Sequence, residues 1–126
     1  MDEDPISRVV VDGAREVHRV LGDPGLLESL YEEPLAEELS ARGLKIERQK
    51  TVPVVYKQKR LSNDLRVDLL VEDLVVVECT ATTTYNSIYE AQALTYLRLL
   101  NLKLALVINF GERLVKDGIH RVVNGL

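Results

Sequence analysis

Two acidic side chains stand inside runs that otherwise read as buried strand: Asp68 in Arg66-Val67-Asp68-Leu69-Leu70, and Glu78 directly after Val75-Val76-Val77. A carboxylate in an apolar strand is costly unless it is paired or bound to a cation. Two explanations are open. One is a strand-end carboxylate that reaches solvent or pairs with Arg66. The other is a pair of hard oxygen ligands for Mg²⁺ or Mn²⁺. The remaining reactive side chains offer less. Cys79 is the single cysteine, which excludes a disulfide framework and a cysteine-based zinc site. Strand alternation puts it on the face opposite Glu78, as a small core residue. His18 near an apolar helix face and His120 in the tail have no partner motif and read as structural or surface side chains. Tyr31 should bury its ring and satisfy its hydroxyl on a neighbour.

The elements that must position these residues follow from periodicity. Ile6, Val9, Val10, Gly13, Ala14, Val17, Val20 and Leu21 recur at helical spacing, which predicts an amphipathic helix over residues 6–21. Gly22-Asp23-Pro24-Gly25 should break it. A second helix is expected from about Leu26 to Arg42, capped by Gly43 and kinked or divided at Pro34. Leu44 to Tyr56 reads as one long or broken strand, with Pro53 at an edge or bulge, and residues 57–60 as a turn. Asn63-Asp64 also reads as a turn. Strands are expected over 65–71 and 74–80. A helix should start at Ser87, where Ser87-Ile88-Tyr89-Glu90 has capping-box spacing, and run to about Asn101. Leu104 to Phe110 reads as a buried parallel strand reached by a right-handed crossover. The tail, residues 119–123, is a short strand or a turn of helix. On the last long helix, Tyr89, Gln92 and Tyr96 share a stripe that fits core packing or the lining of a nucleic-acid groove.

The 126 residues, 46% hydrophobic and 29% charged, suit one globular domain. Aromatics make up 5% and Trp is absent, so aliphatic side chains must supply the core. No apolar run approaches the ~18–20 residues of a membrane span, and the acidic start does not resemble a targeting peptide, so the expected location is cytoplasmic. The net charge of −4 hides an asymmetry. Residues 1–44 hold 11 acidic and 4 basic side chains, residues 67–126 hold 7 and 5, and residues 45–66 hold 2 and 7. The basic set is Lys45, Arg48, Lys50, Lys57, Lys59, Arg60 and Arg66. It is either a solvated strand edge protected from aggregation or a patch for a polyanion.

Gly25-Leu26-Leu27-Glu28-Ser29-Leu30-Tyr31 is a G-x-x-E-x-x-Y signature. It is followed by Gly43-Leu44-Lys45, Arg66-Val67-Asp68-Leu69-Leu70-Val71, Glu90-Ala91-Gln92 with Tyr96, and Asn109-Phe110-Gly111. In that order, across about residues 6–125, they resemble the GxxExxY family, whose members look like compact PD-(D/E)xK nucleases. The resemblance implies an α/β fold with a restriction-endonuclease-like core, a mixed sheet of four or five strands flanked by helices. It also implies metal-dependent hydrolysis of phosphodiester bonds in nucleic acid. Matched position by position, Asp68 and Glu78 are the metal ligands, Glu28 the signature acid and Gln92 the helix amide. Thr80 stands where the family pattern has its lysine. A threonine donates a neutral hydrogen bond but brings no charge to the transition state. Lys57, Lys59 and Lys103 are the candidate substitutes from elsewhere in the chain, and none has the strand spacing.

The reading is therefore an Mg²⁺- or Mn²⁺-dependent nuclease in which Glu28 holds an outer water, Gln92 orients a ligand or phosphate, and the basic block 45–66 positions the backbone. A competing reading is a decayed nuclease fold that binds nucleic acid or protein. A third, a structural domain forming a homodimer, leaves the carboxylates unexplained. A geometric condition follows from strand parity. A two-residue turn at Glu72-Asp73 would pair Asp68 with Val77 and set the two acids on opposite faces. A shared site needs an odd connection such as Glu72-Asp73-Leu74, or a one-residue bulge. Asp68, Glu78 and Thr80 should then share a face, and one of the two carboxyls should have a raised pKa.

Overall fold

The structure, a computed structural model, describes residues 2–22 and 27–126. Helix α1 (Glu3–Leu21) begins earlier than the apolar pattern, because Pro5 falls in the first turn, where no amide bond is lost, and Glu3 and Asp4 face the positive end of the helix dipole. The expected break at residues 23–25 and the start of the second helix at Leu26 lie outside the described residues. Helix α2 (Glu28–Ala41) runs through Pro34 undivided. The carbonyl that Pro34 leaves unbonded belongs to Leu30, which is exposed and so open to hydration. Gly43 follows at φ 89°, and Leu44 N–H returns to the Leu39 carbonyl at 3.1 Å, closing the helix as its sequence suggested. The two helices meet at Gly13, where an added Cβ would come within 2.8 Å of Leu39 Cδ2.

The strands are β1 (Ile46–Val52), β2 (Val55–Tyr56), β3 (Lys59–Arg60), β4 (Leu65–Val71), β5 (Val75–Thr80), β6 (Leu104–Asn109) and β7 (Ile119–Val123). Pro53 does end the first strand. Residues 57–60 are more than a turn, since Lys59–Arg60 pairs back on Val55–Tyr56 as a separate two-stranded hairpin. The other five strands form one mixed sheet in the order β1-β4-β5-β6-β7. Only β5 and β6 are parallel, joined over the sheet by α3 (Ile88–Leu100).

Helix α3 is capped differently from expectation. Ser87 has helical backbone angles and makes no side-chain cap; Asn86 Oδ1 accepts the Ile88 N–H at 2.9 Å instead. Asn tolerates the cap position as well as Ser does, and Glu90 is drawn to the Tyr85 hydroxyl at 3.3 Å.

Two cores sandwich the sheet. Helices α1 and α2 pack Ile6, Val10, Tyr31, Leu35 and Leu39 onto Leu69, Val71, Val75 and Val77. Helix α3 packs Ala93 and Leu97 onto Leu70, Val76, Ala105 and Val107. This is an α/β fold with a five-stranded mixed sheet flanked by three helices, consistent with a restriction-endonuclease-like core.

Candidate active site

The hairpin between β4 and β5 has the odd connection that a shared site requires. Val71 pairs with Val75, Leu70 with Val76 and Leu69 with Val77, so Glu72, Asp73 and Leu74 form the loop. Glu72 (φ 53°) and Asp73 (φ 55°) both take the left-handed conformation. That conformation is unfavourable for such residues, and Lys45 holds it in place. Glu72 N–H donates to the Lys45 carbonyl at 2.9 Å, Glu72 Oε2 accepts the Lys45 N–H at 2.6 Å, and Lys45 Nζ pairs with Asp73 at 2.8 Å. The same register carried one step on sets Asp68 opposite Glu78.

At that step the backbone ladder stops. The Asp68 N–H donates to Glu78 Oε2 at 3.0 Å, and the Cys79 N–H donates to Asp68 Oδ2 at 2.8 Å. Each carboxylate therefore occupies the place of a backbone acceptor on the facing strand, and β4 parts from β5 beyond this point. On the other edge of β4 the break is matched. Gln49 sits opposite Asp68 at φ 51° in the middle of β1, and the pairing of β1 with β4 skips that position.

Residues two apart in a strand should share a face, yet Ile46 and Leu69 border the α1–α2 core while Val52 and Val67 lie in the α3 core. Both strands exchange faces at Gln49 and Asp68. Glu78 and Thr80 keep regular alternation, with Val75, Val77 and Cys79 all on the α1–α2 side. Asp68 is thus not simply a third residue on the Glu78 face. It lies at the crossover and bridges the gap between the strands, because a left-handed residue in β1 rotates the pleat there.

The gap opens into a cavity of about 180 Å³. Four of the sequence-predicted catalytic residues, Asp68, Glu78, Thr80 and Gln92, line it, and Glu28 reaches it from α2. Tyr89, Tyr96 and Arg66 complete the wall together with Cys79. The Tyr89–Gln92–Tyr96 stripe therefore serves both as lining and as packing against the α3 core. Burial, reinforced by the neighbouring Asp68 carboxylate, pushes the Glu78 carboxyl up to about 9. Burial and the acids Asp68 and Glu32 raise Glu28 as well. Burial, with Glu78 and Asp68 nearby, raises the Tyr96 hydroxyl. Thr80 is buried, and among the described residues its Oγ1 has no hydrogen-bond partner.

Behind the carboxylates stands a further acid that the sequence reading missed. Glu32 is buried on α2, accepts Gln49 Nε2 at 2.7 Å and pairs with Arg48 at 2.9 Å. Gln49 Nε2 also lies 3.4 Å from Asp68 Oδ1. The spacing of Glu28 and Glu32, one helical turn apart, was a usable signal for this acid. For Gln49 there was none, since nothing in a Gln announces a left-handed residue.

Four of the seven cations of the basic block are engaged in ion pairs. Lys45 pairs with Asp73, Arg48 with Glu32 and Glu33, Lys50 with Glu47, and Arg60 with Asp64. Lys57 lies over the Tyr56 ring on the separate hairpin, which also carries Lys59. Only Arg66 reaches the cavity, and it is the one cation among the described lining residues. Lys103 precedes β6, whose Leu104 is level with Val75, whereas Thr80 is level with Asn109 at the other end of the same strand pair. It cannot stand in for the missing lysine.

The strand ends beside the site are locked by the Asn109-Phe110-Gly111 segment. Asn109 is fully buried; its Oδ1 accepts the Thr82 and Gly111 N–H groups, and its Nδ2 donates to the Thr82 carbonyl, each at 3.0 Å. A Cβ on Gly111 would fall 2.3 Å from the Thr82 oxygen, so only glycine fits. Phe110 stacks on Tyr31 at 4.6 Å, and the Tyr31 hydroxyl donates to the Gly22 carbonyl at 3.1 Å.

A family model described as the PD-(D/E)XK nuclease superfamily matches residues 4–122. The chain belongs to this superfamily. No curated protein matches it, and no solved structure does. Nucleases of this superfamily generally use divalent metals. Among the described residues no group of three or more His, Cys, Asp or Glu side chains is arranged to hold a metal ion. Two carboxylates nevertheless fit Mg²⁺, which is commonly bound by one or two carboxylates, with waters and substrate phosphate filling its other positions. The Glu78 carboxyl, pushed up to about 9 by burial and by the Asp68 carboxylate, gives up its proton more readily once a cation stands beside the pair.

Proposed function

We propose that the chain is a GxxExxY-type member of the superfamily and a metal-dependent nuclease, with Asp68 and Glu78 as the ligands of Mg²⁺ or Mn²⁺. The observation that supports this reading most is the opposition of Asp68 and Glu78 where β4 and β5 part, each accepting an N–H of the facing strand. When bound, the metal lowers the pKa of a bound water and offsets charge on the scissile phosphate.

The chain's own residues do the rest. Glu32, through Gln49, restrains the Asp68 carboxylate. Glu28, raised by burial and then by its acidic neighbours, is suited to hold or release a proton on a water in the cavity. Gln92 offers an amide to a phosphate oxygen. Arg66 supplies a fixed positive charge at the cavity, the property that Thr80 lacks, and its planar fork suits a phosphate. Thr80 Oγ1, buried and unpartnered, is free to hydrogen-bond a water or an oxygen of the substrate.

The decayed-fold reading keeps one specific support, the neutral Thr80 at the lysine position. Calorimetric titration with Mg²⁺ and Mn²⁺, followed by cleavage assays on labelled single- and double-stranded DNA and RNA, separates the two. Metal binding with cleavage, both lost in Asp68→Asn and Glu78→Gln, is the result expected of a nuclease. Binding of nucleic acid with no cleavage in either metal would assign the chain as a binding module.

A further inference from the structure

A concavity larger than the carboxylate site lies elsewhere on the molecule. About 710 Å³ opens where the C-terminal turns of α1 face the segment between β6 and β7, and the two cavities share no lining residue. Its charged lining is entirely basic among the described residues: Arg15 and Arg19 from α1, Arg113 and Lys116 from the segment after β6. Arg15 and Arg19 are one helical turn apart and so project from one face. Val115 is buried between Arg113 and Lys116, and Gly118 presses against the Asn109 carbonyl, with a Cβ there only 2.3 Å away. The turn that presents Lys116 is therefore pinned rather than loose.

Arg19 is held by Glu16 at 2.8 Å. Arg15, Arg113 and Lys116 pair with no carboxylate among the described residues, in contrast with Lys45, Arg48, Lys50 and Arg60. His18 lines the same concavity, is 7% exposed, and its Nε2 is buried with no partner among the described residues. Arg15, Arg113 and Lys116 line one concavity with exposed charges, unpaired among the described residues, and like charges gathered in one place repel until an anion joins them. Guanidinium forks and an ammonium together match phosphate oxygens.

We propose that this concavity is a binding site for phosphate groups, with Arg15, Arg19, Arg113 and Lys116 as charge partners. It stands apart from the metal ligands and does not depend on the nuclease reading. The phosphates can belong to a nucleic-acid strand or to free phosphate and nucleotide, and one set of measurements distinguishes these sources.

Fluorescence anisotropy with a labelled single-stranded DNA dodecamer, in EDTA, is read against competition by inorganic phosphate and pyrophosphate. The triple variant Arg15→Ala/Arg113→Ala/Lys116→Ala alters only exposed side chains. It should lose at least ~30-fold in affinity, and its salt slope should fall by about 2, given ~0.7 per phosphate contact on a single strand. Charge reversal at one position, Arg113→Glu, should weaken binding in the same direction. Asp68→Asn should retain binding here while losing metal, which separates failure of this site from failure of the nuclease assignment. Competition by micromolar inorganic phosphate or pyrophosphate would assign free phosphate as the ligand, and resistance to millimolar amounts would assign the strand. Undiminished binding in both the triple and the Arg113→Glu variants, or no binding of oligonucleotide, phosphate or pyrophosphate by the wild type, would overturn the proposal.

Discussion

Glu78 and Thr80 hold opposite kinds of chemical tension. The Glu78 carboxyl, buried beside Asp68, sits at about 9 against an ordinary 4.5. Its folded pKa lies above its unfolded one, so the folded state binds the proton more tightly. Stability from this group is full below about 4.5 and is lost as pH rises towards 9. In EDTA at pH 7, Glu78→Gln is therefore expected to raise stability by on the order of 3 kcal/mol. The gain should shrink near pH 4, as read by urea unfolding across that range. Wild-type stability that rises between pH 5 and 8 would contradict this assignment. Thr80 poses the catalytic question. Arg66→Ala is expected to lower metal-dependent cleavage by ~10²–10³, the usual cost of losing one donor to developing charge. Thr80→Lys should raise cleavage above wild type and restore part of the loss in the Arg66→Ala background. A wild type already as fast as the Thr80→Lys variant would show that Arg66 meets the whole requirement for charge.

Among the elements, the paired strands β1 and β4 and the end of β6 decide whether these residues meet. Gln49 exchanges the faces of two strands with one left-handed residue, at a conformational cost of about 1 kcal/mol. Gln49→Gly removes that cost but also removes the amide between Glu32 and Asp68. The expected outcome is a thermal stability close to wild type with weaker Mg²⁺ binding by calorimetry. At the end of β6, Gly111→Ala forces a Cβ into the Thr82 backbone. It should destabilise by about 2–3 kcal/mol in urea unfolding, the range of an overpacked site, and displace the segment that follows Thr80. An alanine variant with wild-type stability would mean that the Thr82 segment yields freely.

Across the whole molecule, charge is arranged by pairing more than by count. The block from Lys45 to Arg66 carries 7 of the 16 Lys and Arg side chains, but its ion pairs with Glu32, Glu33, Glu47, Asp64 and Asp73 neutralise much of their charge. Lys57→Glu with Lys59→Glu should flatten the salt dependence of nucleic-acid binding, whereas Lys45→Ala with Lys50→Ala should leave the slope unchanged. Equal effects from both pairs, measured by anisotropy over a salt series, would return the block to a single patch. No helix among the described residues is long and apolar enough to cross a membrane, in keeping with the absence of long apolar runs from the sequence. The order of the three helices and the five strands of the main sheet and the anomaly of Asp68 and Glu78 were legible in the sequence alone, whereas the odd hairpin loop followed only from requiring a shared site and the missing charge at Thr80 only from the family resemblance. Those features are local: periodicity, parity and residue type act over a few positions. Tertiary structure alone decided that Arg66 rather than a lysine reaches the cavity, that Gln49 turns left-handed to join Glu32 to Asp68, and that Arg15 and Arg19 face Arg113 and Lys116. These depend on which distant segments a folded backbone brings together, and the spacing of residues along the chain holds no record of that.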